Sequence, residues 1–229
     1  MSCGFGHCQK ECELNKQEVR ERIESVGIIP AIRVSSAEHA RFAATAIHCA
    51  GIPVAEITVT VPDAIEVISD LRRDIPEMLV GAGTVLDVEM ARRCLDAGAQ
   101  FLTSPGLVLE MVEFARKREV AVLPGALTPT EIIAAWRAGA DLVKVFPCAH
   151  VGGDSYIRAL KAPFPDLPLI ASGGVNQQTA FNFILAGASA LGIGGELIPK
   201  ESVQLRQEER IHELARRFTK MVKDARSRK

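Results

Sequence analysis

No run of apolar residues in this sequence approaches the roughly 18 needed for a membrane-spanning helix. The opening stretch, Met1–Glu13, has no apolar centre, so no secretory signal is expected. Neither sign of charge is in excess. The 27 Lys and Arg against 28 Asp and Glu leave a net charge of −1, and no basic face argues for nucleic acid as a partner. There is no early Gly-x-Gly-x-x-Gly of the dinucleotide-binding kind, and no linker or low-complexity tract divides the chain. What remains is 229 residues, 48% of them hydrophobic, enough for the large core of a single barrel or α/β domain. Residues 1–13 are expected to be a flexible leader and 14–229 one domain.

Six cysteines are present. Cys49, Cys94 and Cys148 fall in helix-like or strand-like patterns, where a reduced cysteine behaves as a small core hydrophobe. That use predicts a reducing, cytoplasmic setting. Cys3, His7, Cys8 and Cys12 cluster in the leader. They have the ligand types for a soft metal, but their spacing matches no standard zinc pattern. A frayed terminus is the simpler reading.

Strand-like apolar runs recur along the chain: 28–34, 54–59, 78–84, 101–104, 120–124, 142–146, 169–172 and 190–194. A helix-like segment fills each gap: 37–50, 64–73, 88–97, 109–118, 130–137, 155–162 and 177–185. Several of these stop at an Ala-Gly step (Ala50-Gly51, Ala97-Gly98, Ala138-Gly139, Ala186-Gly187), where glycine supplies a left-handed cap. Continuous rather than alternating apolar runs mark strands buried on both faces, as in a parallel sheet. Eight βα units closing on themselves predict a (β/α)8 barrel of the TIM type; an open doubly wound sheet is the alternative. An amphipathic helix over 14–26 precedes the first strand, a candidate plug for one end of the barrel. A closing helix is expected over 204–223, followed by a solvated charged tail at 225–229.

One strand carries an unusual residue. In Asp141-Leu142-Val143-Lys144-Val145-Phe146-Pro147 a single lysine sits among apolar neighbours. In general an apolar setting disfavours an ammonium, and a neutral amine can attack a carbonyl to form a Schiff base. The bland alternative is a lysine whose stem crosses the strand while its head reaches water. The other strand ends tilt the balance, because function in a barrel collects at the C-terminal ends of its strands. Arg33 ends the first; Glu56, Thr58 and Thr60 share one face of the second by alternation. Gly81, Gly83 and Thr84 end the third, Ser104-Pro105-Gly106 the fourth, and Pro124-Gly125 the fifth. Ser172-Gly173-Gly174 ends the seventh and Gly194-Gly195 the eighth. Glu56 is either a structural ion-pair partner or the general acid/base beside a Schiff-base lysine. The last two glycine pairs lie where barrels bind phosphate through backbone N–H groups, or they only permit tight turns.

Taken in order, Ile29-Pro30-Ala31-Ile32-Arg33, Ala55-Glu56-Ile57-Thr58-Val59-Thr60, Val80-Gly81-Ala82-Gly83-Thr84-Val85, Phe101-Leu102-Thr103-Ser104-Pro105-Gly106, Leu123-Pro124-Gly125, Val143-Lys144-Val145-Phe146-Pro147 and Ser172-Gly173-Gly174-Val175 resemble the 2-keto-3-deoxy-6-phosphogluconate (KDPG) / 4-hydroxy-2-oxoglutarate (KHG) aldolases. The resemblance covers about residues 20 to 200. It implies a class I enzyme on a trimeric barrel that cleaves a 2-keto-4-hydroxy acid to pyruvate and an aldehyde such as glyceraldehyde 3-phosphate or glyoxylate. By that resemblance Lys144 is the Schiff-base lysine and Glu56 an acid/base working through a bound water. Thr84 lies near the pyruvate portion, and Ser172, Gly173, Gly174, Gly194 and Gly195 form the phosphate end; Thr60, Pro105 and Glu196 complete the candidate substrate contacts. No metal or cofactor is implied, because the iminium itself is the electron sink that a metal-dependent aldolase obtains from zinc. The expected partners are a small-molecule substrate and two further copies of the chain, with no nucleic acid and no membrane.

Two positions depart from the family pattern. Many members carry an arginine four residues after the glutamate, holding the pyruvate carboxylate; here Thr60 stands there, and Arg33 is the available substitute. Members often carry a serine after the Gly-Gly of the eighth strand, where this chain has Glu196. A carboxylate there opposes a phosphate dianion and points to an unphosphorylated substrate. Two other readings stand beside the aldolase: a phosphate-binding barrel isomerase or synthase without covalent catalysis, and a non-catalytic binding module.

Overall fold

The computed structural model describes residues 14–228; the Cys3, His7, Cys8 and Cys12 cluster lies outside them. Nine parallel strands follow one another around a single sheet: β1 (Ile28–Ile32), β2 (Val54–Thr58), β3 (Leu79–Gly83), β4 (Phe101–Thr103), β5 (Ala121–Leu123), β6 (Gly125–Ala126), β7 (Val143–Val145), β8 (Leu169–Ser172) and β9 (Ala190–Ile193). Their order is β5-β4-β3-β2-β1-β9-β8-β7-β6. The sequential order excludes the doubly wound alternative, whose strand order reverses.

Nine strands stand where eight are expected because the fifth is split. Pro124 separates β5 from β6 and has no N–H to give to a ladder. Below the break β5 pairs with β4; above it β6 pairs with β7. The seam is closed by side chain and backbone together. The Asp141 N–H donates to the Val122 carbonyl at 3.0 Å, and the Asp141 carboxylate accepts the Val122 N–H at 2.9 Å. Burial lifts that carboxyl above its ordinary range, against the opposing pull of the hydrogen bond and of Lys16 and Arg20. The wall is a (β/α)8 barrel in its connectivity.

Helices α1 (Lys16–Val26), α2 (Ala37–Cys49), α3 (Ala64–Asp74), α4 (Val88–Asp96), α5 (Leu109–Lys117), α6 (Pro129–Ala138), α7 (Asp154–Lys161), α8 (Ala180–Leu185), α9 (Lys200–Gln204) and α10 (Glu208–Arg226) complete the chain. Their starts are written in the sequence. Asn15 and Glu18 cap α1 reciprocally, and Thr128 with Glu131 does the same for α6, with Pro129 in the first turn. The Ala-Gly steps end helices as expected: Gly139 adopts φ 101° and its N–H returns to the Ala135 and Trp136 carbonyls. Helix α8 begins later than expected, because Asn176 Oδ1 accepts the N–H groups of Gln178 and Thr179 and holds 176–179 in a turn. The closing helix, expected over 204–223, is α10, which starts at Glu208 after the separate short helix α9 and the break at 205–207.

The tail is a correction. Helix α10 runs to Arg226, Ala225 is buried, and the Arg226 guanidinium donates to the Ser25 carbonyl at 2.6 Å and to that of Ser189 at 3.2 Å. Cys94 and Cys148 are buried thiols, pushed up to about 11 and about 12 by burial, as a core role predicts; Cys49 is exposed instead. No helix among the described residues is long and apolar enough to cross a membrane.

Two cores result from strand alternation. One lies between strands and helices. The other fills the lower barrel: Ile29, Val54, Leu79, Phe101, Leu123, Leu142, Ile170 and Ala190, one from each wall position. Val19 and Ile23 of α1 close this inner core from below, so α1 is the plug anticipated from its pattern.

Candidate active site

Two residues beyond each member of that apolar layer, the same inward face presents Ala31, Glu56, Gly81, Thr103, Gly125, Lys144, Ser172 and Gly192. Four carry functional groups: Glu56, Thr103, Lys144 and Ser172. The other four are glycine or alanine. Neighbouring strands thus supply reactive groups and the room for them. A Cβ on Gly192 would lie 2.6 Å from Ser172 Oγ, and one on Gly83, the next inward position of β3, would lie 2.1 Å from Glu56 Oε1. These glycines are needed for clearance rather than for unusual dihedrals.

Lys144 Nζ lies 3.6 Å from Glu56 Oε2, with side-chain exposures of 12% and 4%. It also stands 5.8 Å from the centre of the Phe146 ring. The snorkelling alternative for Lys144 does not describe this arrangement: the amine is held inside the barrel against a buried carboxylate. Thr58, the third polar residue of β2, spends its hydroxyl on the Ile32 carbonyl at 3.1 Å.

Above the pair opens a cavity of about 320 Å³ lined by Arg33, Glu56, Lys144, Phe146, Ser172, Gly173, Gly174, Gly194, Gly195, Glu196 and Lys200, among others. A larger cavity of about 460 Å³ lies at the opposite end beside α1, lined by Arg72, Asp96, Arg118 and Glu119; it touches none of the polar inner residues. Arg33 reaches the Thr84 hydroxyl with an Nη2–Oγ1 distance of 3.2 Å, which brings Thr84 to the rim. Thr84 is held there at φ 61°, a backbone region that costs a β-branched residue of order 1–3 kcal/mol. Pro105 is not a lining residue, although its carbonyl would lie 2.3 Å from a Cβ on Gly125, the register partner of Lys144.

A family model described as KDPG and KHG aldolase matches residues 19–214. The chain belongs to the KDPG and KHG aldolase family. The KHG/KDPG aldolase of Escherichia coli strain K12 is 33% identical over 190 residues, 82% of this chain and 89% of that protein. The 2-dehydro-3-deoxy-phosphogluconate aldolase of Treponema pallidum is 33% identical over 184 residues, 80% and 87% of the two chains. Among solved structures, a KDPG aldolase from Legionella pneumophila, with pyruvate captured at low pH as a covalent carbinolamine intermediate, superposes with a TM-score of 0.80 at 29% identity, over 86% of this chain and 96% of that one.

Within this aldolase-family chain the departures can now be placed. Thr60 is outside the cavity; its hydroxyl meets that of Thr58 at 2.9 Å. Arg33 is the guanidinium on the cavity wall. Glu196 is on that wall too, and so is Lys200, which sequence reasoning missed. No ion pair joins either of them to another side chain among the described residues. Lysine at the start of a short helix reads as an ordinary solvated charge, so nothing local marks Lys200. Phe146 and Gly192 were also missed as lining residues, and Thr103 was quoted within its motif without a role.

Proposed function

We propose that this chain is a class I aldolase that reversibly cleaves a 2-keto-4-hydroxy acid to pyruvate and an aldehyde, with Lys144 as the Schiff-base residue and Glu56 as the acid/base. The observation that carries the reading is the buried Lys144–Glu56 pair at 3.6 Å, facing a cavity with Arg33 on its wall. The Lys144 amine adds to the keto carbon C2, and loss of water leaves an iminium. Glu56, directly or through water, takes the proton of the C4 hydroxyl. The C3–C4 bond breaks, its pair forms the C2=C3 bond, and the C=N pair moves onto nitrogen. The aldehyde departs; the enamine takes a proton at C3, and hydrolysis releases pyruvate. Arg33, with Thr84, binds the substrate carboxylate; Ser172 and the amides of Gly173, Gly174, Gly194 and Gly195 take the far end. Pro105 borders the site through its backbone.

The far end favours an unphosphorylated substrate. Glu196 and Lys200 line it with opposite charges, so a phosphate dianion gains little net attraction beyond the fixed amide dipoles. A hydroxyl-rich or short acid end is accepted at least as well. The protein works as a homotrimer in the cytoplasm. Exposed Leu86, Leu109 and Trp136 supply apolar surface for subunit contact, and a structural neighbour at TM-score 0.81 is a cage designed by fusing symmetric oligomeric domains. Sedimentation gives the subunit number.

The test of the chemistry is borohydride trapping. Incubation with pyruvate and borohydride is expected to add one reduced pyruvyl group, on Lys144, read by peptide mass spectrometry. No adduct, or one on another lysine, overturns the assignment; the first outcome would favour a synthase, an isomerase or a binding protein.

A further inference from the structure

Thr103 ends β4 on the inward face, two residues beyond Phe101 of the apolar layer, while Leu102 between them packs outward. The residue is 1% exposed, and its hydroxyl has no hydrogen-bond partner among the described residues. A buried hydroxyl without a partner is a liability that valine, with the same shape, would avoid. Its surroundings show what it faces. Around the barrel wall the inward positions run Glu56, Gly81, Thr103, Gly125, Lys144, so only glycines separate Thr103 from the two reactive residues. The Glu56 carboxylate leans over Gly83, and the pairing of Ala82 with Leu102 puts Gly83 opposite Thr103. Thr103 Oγ1 makes no direct bond to that carboxylate, and paired strands in general stand roughly 5 Å apart, a gap that one bridging water spans.

We propose that Thr103 is a positioning residue whose hydroxyl holds the water through which Glu56 exchanges protons with the Lys144-bound substrate. The inference rests on the aldolase reading above. In the exchange step the pyruvate iminium loses a C3 proton to this water and on to Glu56. The C–H pair forms the C2=C3 bond and the C=N pair moves to nitrogen; the reverse step returns a proton from the same water. Without the Thr103 hydroxyl the water loses an anchor, while imine formation at Lys144 proceeds.

The experiment compares the natural protein with Thr103→Val and Thr103→Ser. It measures deuterium uptake into the pyruvate methyl group in D2O, the borohydride adduct on Lys144, and the melting temperature. Thr103→Val is expected to slow deuterium uptake and kcat by about tenfold to a hundredfold, the range for a displaced proton-transfer group. Adduct yield should be unchanged and the melting temperature equal or higher; Thr103→Ser should restore exchange. Natural exchange in Thr103→Val overturns the proposal and leaves the aldolase reading intact. No adduct in the natural protein overturns both. Should Thr103→Val fail to fold, Thr103→Ala tests the same hydroxyl by the same exchange rate.

Discussion

The lower and upper layers of the barrel interior are carried by the same strands, two residues apart, and they do opposite things. Leu142 packs in a dry core sealed by α1, and Lys144 faces a carboxylate. Phe101 fills the space above Gly81, and Thr103 keeps an unpaired hydroxyl. In the lower layer large side chains meet and the return is burial; in the upper layer small residues alternate with polar ones and the return is a cavity. The rigid lower layer lets the upper one hold groups that would otherwise relax towards water. Stability and chemistry should therefore separate by layer.

The sharpest test of that separation is Lys144→Arg. It keeps the charge beside Glu56 but cannot form the imine, so cleavage and the borohydride adduct should both vanish while the protein stays folded. Glu56→Gln comes next: the imine should still trap, and kcat should fall by roughly a hundredfold or more, the range for a lost general acid/base. Near-natural turnover would make Glu56 a structural partner. Two alanines on β3 then divide the layers by what each would strike: Gly81 lies against Phe101 of the lower layer, Gly83 against Glu56 of the upper. A Cβ at Gly81 would sit 2.3 Å from the rigid Phe101 ring, so Gly81→Ala should cost about 1–3 kcal/mol of stability in a denaturant titration, as overpacked cores do. Gly83→Ala should displace the Glu56 carboxylate and lower kcat more than the melting temperature. Equal effects from both alanines would erase the distinction between the layers.

Smaller changes are expected at the rim. Arg33→Ala should raise the KM for pyruvate over tenfold, matching a lost charge-assisted contact of about 1.5–3 kcal/mol, with little effect on folding. Unchanged pyruvate binding removes Arg33 from the site. Smallest is Glu196→Ser, which should shift kcat/KM a few-fold towards the phosphorylated substrate, a change of roughly 1 kcal/mol at an exposed position. A strong phosphate preference in the natural protein that this substitution leaves unaltered would mean that Glu196 does not act on the substrate.

Much of this was legible in the chain because strand alternation is a local signal. Leu142, Lys144 and Phe146 must share a face, and so must Val54 and Glu56, whatever the rest of the protein does. What faces what across the barrel is set by register between strands far apart in sequence, which no local pattern encodes. That is why Thr103 drew no role within its motif, and why Gly83, read only as ending the third strand, did not show itself as the clearance for Glu56. Thr60 misled for the opposite reason. The alternation held, but β2 ends at Thr58 and the chain turns before Thr60 can point inward. The solvated tail failed because charge alone was weighed: the Arg226 stem and Ala225 are covered, and only the sequence-distant Ser25 and Ser189 carbonyls explain why.

The Arg226 contacts also bear on biosynthesis. The guanidinium bolts the last turn of α10 onto the segment that leads into β1, about two hundred residues earlier in translation. The wall can assemble strand by strand as it emerges, but this fastening waits for residue 226. A nascent chain stalled a few codons earlier would carry all nine strands and still lack the latch, leaving the entrance to its first strand open to proteases.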